Sequence, residues 1–183
     1  MYPIRLTGSR IALREFRTED AEAALRVVGD DRVTKWLSFD SRDQAATIKM
    51  IRGIVERAGQ ETRQEYYLAA TLAEHDEQLV GFARLGLGGV KAGKLGYAIA
   101  ADEWGRGYAT EAVRLLVDFG FQQLECHRIS AAIGPDNAPS IAVIRKLGFA
   151  YEGRLRDHVH TNGAWRDSLL YSLLEHEHRA VVQ

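Results

Sequence analysis

Apolar and polar residues alternate over residues 10–16, which predicts a β-strand with one buried face that includes Ile11 and Leu13. Thr18 then offers a hydroxyl suited to capping a helix, and Glu19 and Asp20 suit the positive end of a helix dipole. We therefore predict a helix from this point to about Gly29.

A second amphipathic pattern covers residues 42–58 and predicts another helix, which we expect to lie beside the first. Ile48, Ile51 and Val55 recur on one of its faces. Gly59 follows the pattern and is a residue type that commonly terminates a helix.

The middle of the chain has the periodicity of β-structure. Apolar runs over 66–72 and 79–85 flank a charged turn at 74–77, which predicts a hairpin. A third strand at 94–99 follows the glycine-rich stretch 86–93, so we expect three antiparallel strands in succession.

Helical periodicity returns over 107–123, where small and apolar residues recur on one face: Ala109, Val113, Leu116, Val117 and Gly120. A short β-rich run follows at 128–133. The next helix should begin around Pro139 and end at Gly148, and two strands joined near 161–163 complete the chain. Nothing in the composition marks a boundary, so we predict one domain over residues 1–183.

The composition disfavours several classes of protein. Hydrophobic residues make up 46% and charged residues 27% of the 183 positions, and the formal net charge of −1 includes no basic stripe suited to nucleic acid. The single cysteine, Cys126, excludes an internal disulfide and a cysteine-rich zinc site. No apolar stretch has the length of a signal peptide core or a membrane span. We expect a cytoplasmic monomer or homodimer without nucleic-acid or membrane partners.

One glycine-rich segment carries candidate chemistry: Trp104-Gly105-Arg106-Gly107-Tyr108-Ala109-Thr110-Glu111-Ala112. It stands between a predicted strand and an amphipathic helix. Glycines let the backbone approach a ligand, and the first N–H groups of a helix lack intrahelical partners, so such a helix start binds phosphate or pyrophosphate. Alone, a Gly-x-Gly before a helix is more often only a tight turn.

A second segment lies about thirty residues further on: Asn137-Ala138-Pro139-Ser140-Ile141-Ala142-Val143-Ile144-Arg145-Lys146-Leu147-Gly148-Phe149. Together the two segments resemble the GNAT superfamily of N-acetyltransferases, in particular its branch of ribosomal-protein N-terminal acetyltransferases. The resemblance extends over nearly the whole chain, from residues 6–20 to 171–174. It implies an α+β (mixed α/β) GNAT fold, with a central, mostly antiparallel, splayed sheet of about seven strands and helices on both faces.

The resemblance also implies the cosubstrate and its site. Acetyl-CoA would be bound without a metal, and strand 95–99 would diverge from its neighbour so that its free N–H groups face the thioester. The implied cofactor-binding residues are Ile99, Trp104, Gly105, Arg106, Gly107, Tyr108, Ala109, Thr110, Asn137 and Ser140. The broader superfamily has Gln or Arg where this chain has Trp104, so phosphate contacts are expected mainly from the backbone. Arg106 is either a phosphate partner or a solvated charge.

Amide formation from a thioester requires a neutral amine, N–H donors for the oxyanion and a route for the thiolate to leave. We predict direct attack in a ternary complex, with Ser140 assisting the thiolate and Glu103 as the first choice of base. Asp102, Asp167 and a chain of waters are alternatives to Glu103, and each carboxylate equally suits an ordinary surface role. Asn137 also suits a helix cap.

Other polar residues suit structural roles. His158 and His160 share a strand face but lack a third ligand for zinc. His176 and His178 are expected to be solvated, and Cys126 is expected to pack as a small apolar residue.

The acceptor is left open by the sequence. A ribosomal-protein N terminus, another peptide α-amine, an antibiotic, a polyamine and an amino-acid-like metabolite are all compatible with it. Trp36, Phe39 and Trp165 either line the acceptor pocket or pack in the core. Two rival functions are a catalytically silent acyl-CoA-binding module and a nucleotide-phosphate enzyme, the latter disfavoured because no Gly-Lys-Ser/Thr sequence occurs.

Overall fold

A central β-sheet organises the computed structural model, which describes the backbone of residues 2–182 and the side chains of residues 2–178. Its eight strands within these residues are β1 (Arg5–Thr7), β2 (Ile11–Glu15), β3 (Glu65–Leu72), β4 (His75–Leu87), β5 (Ala92–Ile99), β6 (Arg128–Ile133), β7 (Ala150–Thr161) and β8 (Ala164–Leu174). The order across the sheet is β1-β2-β3-β4-β5-β6-β8-β7. All neighbours are antiparallel except β5 and β6, which are parallel. The resemblance implied about seven strands, and the periodicity of the sequence did not predict the three-residue strand β1.

Helices cover both faces of the sheet, as predicted. In the described residues they are α1 (Ala21–Val28), α2 (Asp31–Thr34), α3 (Gln44–Ala58), α4 (Tyr108–Gln122), α5 (Ala138–Lys146) and α6 (Glu175–Val182). α1 and α3 pack beside each other through one apolar cluster, which includes Val27, Ile51 and Phe82. α4 and α5 pack on the other face through a larger cluster that includes Leu116 and Ile144.

Strand β2 differs from its prediction because all five of its residues are buried, not only one face. Arg14 donates two hydrogen bonds to Asp20, at 2.7 and 2.8 Å, and Glu15 accepts two from Arg63, at 2.5 and 2.9 Å. Ion pairs of this kind offset part of the desolvation cost of burying charge. Both faces of β2 are therefore buried.

The ends and faces of the first helices also differ from prediction. The Thr18 hydroxyl donates to Glu19 instead of capping a helix, residues 18–20 form a 3₁₀ turn, and α1 begins after that turn. The predicted stop at Gly29 is confirmed. On α3 the buried face is rotated from the predicted one and consists of Thr47, Ile51, Ile54 and Ala58.

The C-terminal helix gives a further correction. His178 was expected in solvent but is only 8% exposed. Its ring stacks on Phe121 with centroids 4.9 Å apart, and its Nε2 lies 3.0 Å from an Asp118 carboxylate oxygen. α6 packs against α4 here, which buries the imidazole. Cys126 is buried as predicted, and no helix within residues 2–182 is long and apolar enough to cross a membrane.

Candidate active site

The sheet opens between its two parallel strands. β5 and β6 pair from Ala92 with Arg128 to Leu95 with Ala131, and beyond that point residues 96–99 have no partner on β6. This confirms the predicted divergence of the two strands. A cleft of about 1200 Å³ occupies the opening and is lined by β5, the loop before α4, α5, β7 and β8.

The loop before α4 forms one wall of the cleft. Gly105 and Gly107 have φ of +79° and +78°, a left-handed conformation that favours glycine. Gly107 is the N-cap of α4 and contributes no side-chain cap, and the first helical bond runs from Glu111 N to Gly107 O. The N–H groups of the first three helical residues, Tyr108, Ala109 and Thr110, therefore lack intrahelical acceptors. This arrangement fits an anion such as a pyrophosphate.

The side chains of the loop hold its own structure. Trp104 donates its indole N–H to the Ile99 carbonyl oxygen at 2.8 Å, which ties the loop to the end of β5. Arg106 Nε lies 3.3 Å from a Glu103 carboxylate oxygen. The indole N–H of Trp104 thus has a partner within the protein.

The start of α5 lies across the cleft. Asn137 caps it, because its side-chain oxygen accepts a hydrogen bond from Ser140 N at 3.3 Å. The Ser140 hydroxyl has no hydrogen-bond partner within the described residues, and Ser140 lines the cleft. Asn137 therefore has the capping role that the sequence suggested for it, and the Ser140 hydroxyl is not needed as a cap.

Tyr97 bridges the two walls, and sequence reasoning missed it. Its hydroxyl, on β5, donates to the Ser140 carbonyl oxygen at 3.2 Å. Burial raises the Tyr97 pKa to about 12. The available signal was its place on the diverging part of β5, but its partner lies 43 residues away in sequence.

The three candidate carboxylates have different surroundings. Glu103 lines the cleft, whereas Asp102 is outside it and pairs with Arg32 at 3.1 Å. Asp167 lines the cleft but accepts hydrogen bonds from Asp157 N at 2.9 Å and from Arg154 Nε at 2.5 Å. These two bonds hold the Asp167 pKa below its usual value, which makes it a weak base.

The far end of the cleft is aromatic and basic. Trp36 and Trp165 line it, whereas Phe39 packs against the α1 and α3 cluster. Arg166 donates to the carbonyl oxygens of Lys35 and Leu37, which attaches β8 to the segment after α2.

Within the described residues, no three His, Cys, Asp or Glu side chains are grouped to hold a metal ion. His158 lines the cleft, with Nδ1 3.0 Å from the Ser168 hydroxyl oxygen.

Comparisons with known proteins agree with this architecture. The profile of the acetyltransferase (GNAT) domain matches residues 10–150. The uncharacterized N-acetyltransferase p20 of Bacillus licheniformis is 30% identical over 178 residues, 94% of this chain and 97% of that protein. YdaF of Bacillus subtilis (strain 168), provisionally named a ribosomal N-acetyltransferase, is 32% identical over 174 residues. The match covers 93% of this chain and 94% of the YdaF chain.

A solved structure extends the likeness to three dimensions. RimJ from Mycobacterium smegmatis, in complex with CoA-disulfide, matches with a TM-score of 0.83 and 28% identity. The match covers 99% of this chain and 95% of RimJ. The sheet that splays at β5, the glycine-rich start of α4 and the domain match all point to one family. The chain belongs to the GNAT family and is an N-acetyltransferase of its ribosomal-protein acetyltransferase-like branch.

Proposed function

We propose that the chain transfers the acetyl group of acetyl-CoA to the α-amine of a peptide or protein N terminus. The observation that carries the proposal is the cleft through the splayed sheet. It joins an anion-binding loop on one side to an aromatic opening on the other, so a donor and an acceptor can meet at residues 96–99.

The donor side of the cleft fits acetyl-CoA. The unpaired N–H groups at the start of α4 would hold the pyrophosphate, and the wall formed by Asn137 and Ser140 would flank the pantetheine arm. When bound, acetyl-CoA supplies an activated acetyl group, which a neutral amine accepts to form an amide while the CoA thiol is released. Unpaired N–H groups on the diverging part of β5 would stabilise the developing oxyanion.

Two side chains would move protons in this reaction. Glu103 is our proposed base, because it lines the cleft. Asp167 also lines the cleft, but two hydrogen bonds hold its carboxylate. The charge of Glu103 is balanced by Arg106. The Ser140 hydroxyl, which has no other partner within the described residues, would donate to the departing thiolate.

The charges that line the cleft favour a peptide α-amine over a polyamine or an aminoglycoside antibiotic. A polycationic acceptor needs several free carboxylates, since each ammonium group loses hydration on binding. Of the three carboxylates lining the cleft within the described residues, Glu103 and Asp167 are each paired with an arginine, which leaves a single free carboxylate, Asp136. Arg166 and the Trp36 and Trp165 rings complete the wall and suit backbone and apolar contacts.

A thiol-release assay with matched acceptors tests the proposal. The panel comprises a short peptide with a free N terminus, the same peptide with a blocked N terminus and an internal lysine, spermidine and an aminoglycoside. We expect acetyl-CoA-dependent thiol release with the free peptide, and mass spectrometry should find the acetyl group on its first residue. Preference for spermidine would contradict the peptide acceptor, while tight acetyl-CoA binding without turnover of any amine would favour a silent binding module.

A further inference from the structure

The first turn of α4 carries a carboxylate that folds back onto the turn between β1 and β2. Glu111 Oε1 accepts hydrogen bonds from the backbone N–H of Arg10 at 2.7 Å and of Ile11 at 3.2 Å, and from the Ser9 hydroxyl at 3.1 Å. Its other oxygen, Oε2, accepts from Arg10 Nε at 3.0 Å. The start of α4 is thereby attached to a segment about 100 residues earlier in the chain.

Arg10 also contacts the cofactor loop itself. Its Nη1 donates to the Arg106 carbonyl oxygen at 2.8 Å, and its guanidinium lies 5.8 Å from the centre of the Tyr108 ring. A Cβ added at Gly107 would come within 3.2 Å of Arg10 Nη2. One side chain therefore hydrogen-bonds Arg106 and lies close to the next two residues, at the point where the helix N–H groups are free.

The charges of this cluster affect the binding of an anion at the same helix end. A carboxylate in the first turn stabilises a helix but repels a second negative group nearby. Burial raises the Glu111 pKa, yet the hydrogen bonds from Arg10 and Ile11 outweigh burial and lower it. Glu111 is therefore ionised, and Arg10 is the cation that compensates it.

We infer that Arg10 and Glu111 form a positioning pair for the cofactor loop, which fixes the Arg106 carbonyl and neutralises the carboxylate beside the pyrophosphate. The pair increases the affinity for acetyl-CoA indirectly, by holding the loop in position. This inference rests on the proposed donor, acetyl-CoA.

Calorimetric titration of acetyl-CoA into matched variants tests the inference. We expect Arg10→Ala to raise the dissociation constant about ten-fold or more, the effect of losing a charge-assisted hydrogen bond. Arg17→Ala is the control, because the two arginines have similar exposure and each pairs with one carboxylate. The Arg17 side chain is 56% exposed and its Nη2 lies 2.7 Å from Asp76. The Arg10 side chain is 55% exposed and its Nε lies 3.0 Å from Glu111. Arg17 has no contact with the loop within the described residues, so its loss should leave the acetyl-CoA dissociation constant unchanged.

A double variant separates positioning from ordinary stabilisation. Arg10→Ala leaves Glu111 as an uncompensated negative charge, so Arg10→Ala with Glu111→Gln should bind acetyl-CoA more tightly than Arg10→Ala alone. A purely structural pair predicts the reverse, since the second change would loosen the turn further. The melting temperature of each free protein is measured beside the affinity.

Three results would contradict the inference, and they are distinguishable. If wild type binds acetyl-CoA and Arg10→Ala binds it equally well, the pair does not position the loop. If wild type does not bind acetyl-CoA at all, the proposed donor is wrong and the inference falls with it. A double variant that binds more weakly than Arg10→Ala would contradict the role of the Glu111 charge.

Discussion

Replacing Ser140 by alanine separates a catalytic from a structural role of its hydroxyl. The hydroxyl lines the cleft and has no hydrogen-bond partner within the described residues, while Asn137 already caps α5 by accepting from Ser140 N. Removing a group without a partner should change the free energy of unfolding by no more than about 0.5 kcal/mol. Loss of an acid that assists the thiolate should lower kcat by about 100-fold, the low end for general acid catalysis, because a thiolate leaves with little help.

A second variant, Asn137→Ala, should lower the free energy of unfolding, which Ser140→Ala should leave nearly unchanged. Asn137→Ala removes the cap and should cost about 1 kcal/mol, since the Ser140 N–H loses its acceptor. In a chain of 183 residues this corresponds to a fall in melting temperature of about 2–4 °C. Ser140→Ala should show no such fall.

The assay combines three measurements on one preparation of each variant: melting temperature, acetyl-CoA dissociation constant and kcat for the peptide acceptor. We expect Ser140→Ala to keep its melting temperature and to keep its acetyl-CoA affinity within a few-fold, while kcat falls. A variant that is destabilised but fully active would remove Ser140 from the mechanism.

Three further predictions follow from the cofactor site and the helix packing. Acetyl-CoA at 100 times its dissociation constant should add about 2.7 kcal/mol of stability in a thermal-shift series, and neither ATP nor NAD should match it. Tyr97→Phe removes the donor to the Ser140 carbonyl. It should lower kcat by roughly ten-fold, since a small misplacement of Ser140 would be costly, and an unchanged kcat would show that this hydrogen bond is dispensable. His178→Ala should reduce unfolding free energy by roughly 2 kcal/mol in chemical denaturation, because it removes the buried ring stacked on Phe121, and no loss would mean that α6 packs without it.

Features that depend on neighbouring residues were predictable from the sequence. The helix over α4 was placed within one residue at each end, and the strand at 128–133 coincides with β6, because periodicity and glycines are local signals. The glycine-rich loop was found in the same way. Its left-handed residues, Gly105 and Gly107, occur where a tight turn must lead directly into a helix.

Features that depend on distant partners were not predictable. The strand predicted over residues 10–16 has one buried face, but Arg14 and Glu15 are buried as well, because Asp20 and Arg63 pair with them in the interior. Likewise, the contacts of Tyr97 with Ser140 and of Arg10 with the cofactor loop join segments 43 and 96 residues apart. No local pattern encodes such pairs.

The most direct test of the central claim is calorimetric titration of acetyl-CoA into wild type and Gly107→Asp. Aspartate would place a side chain and a negative charge at the helix start, where the free N–H groups should meet the pyrophosphate. Gly89→Asp is the control, because Gly89 has a similar φ of +71° and no atom within 4 Å of an added Cβ, so it carries equal backbone strain away from the cleft. We predict that Gly107→Asp weakens acetyl-CoA binding by at least about ten-fold while wild type and the control bind alike. Unchanged affinity in a Gly107→Asp protein with native circular dichroism would show that the loop is only a turn.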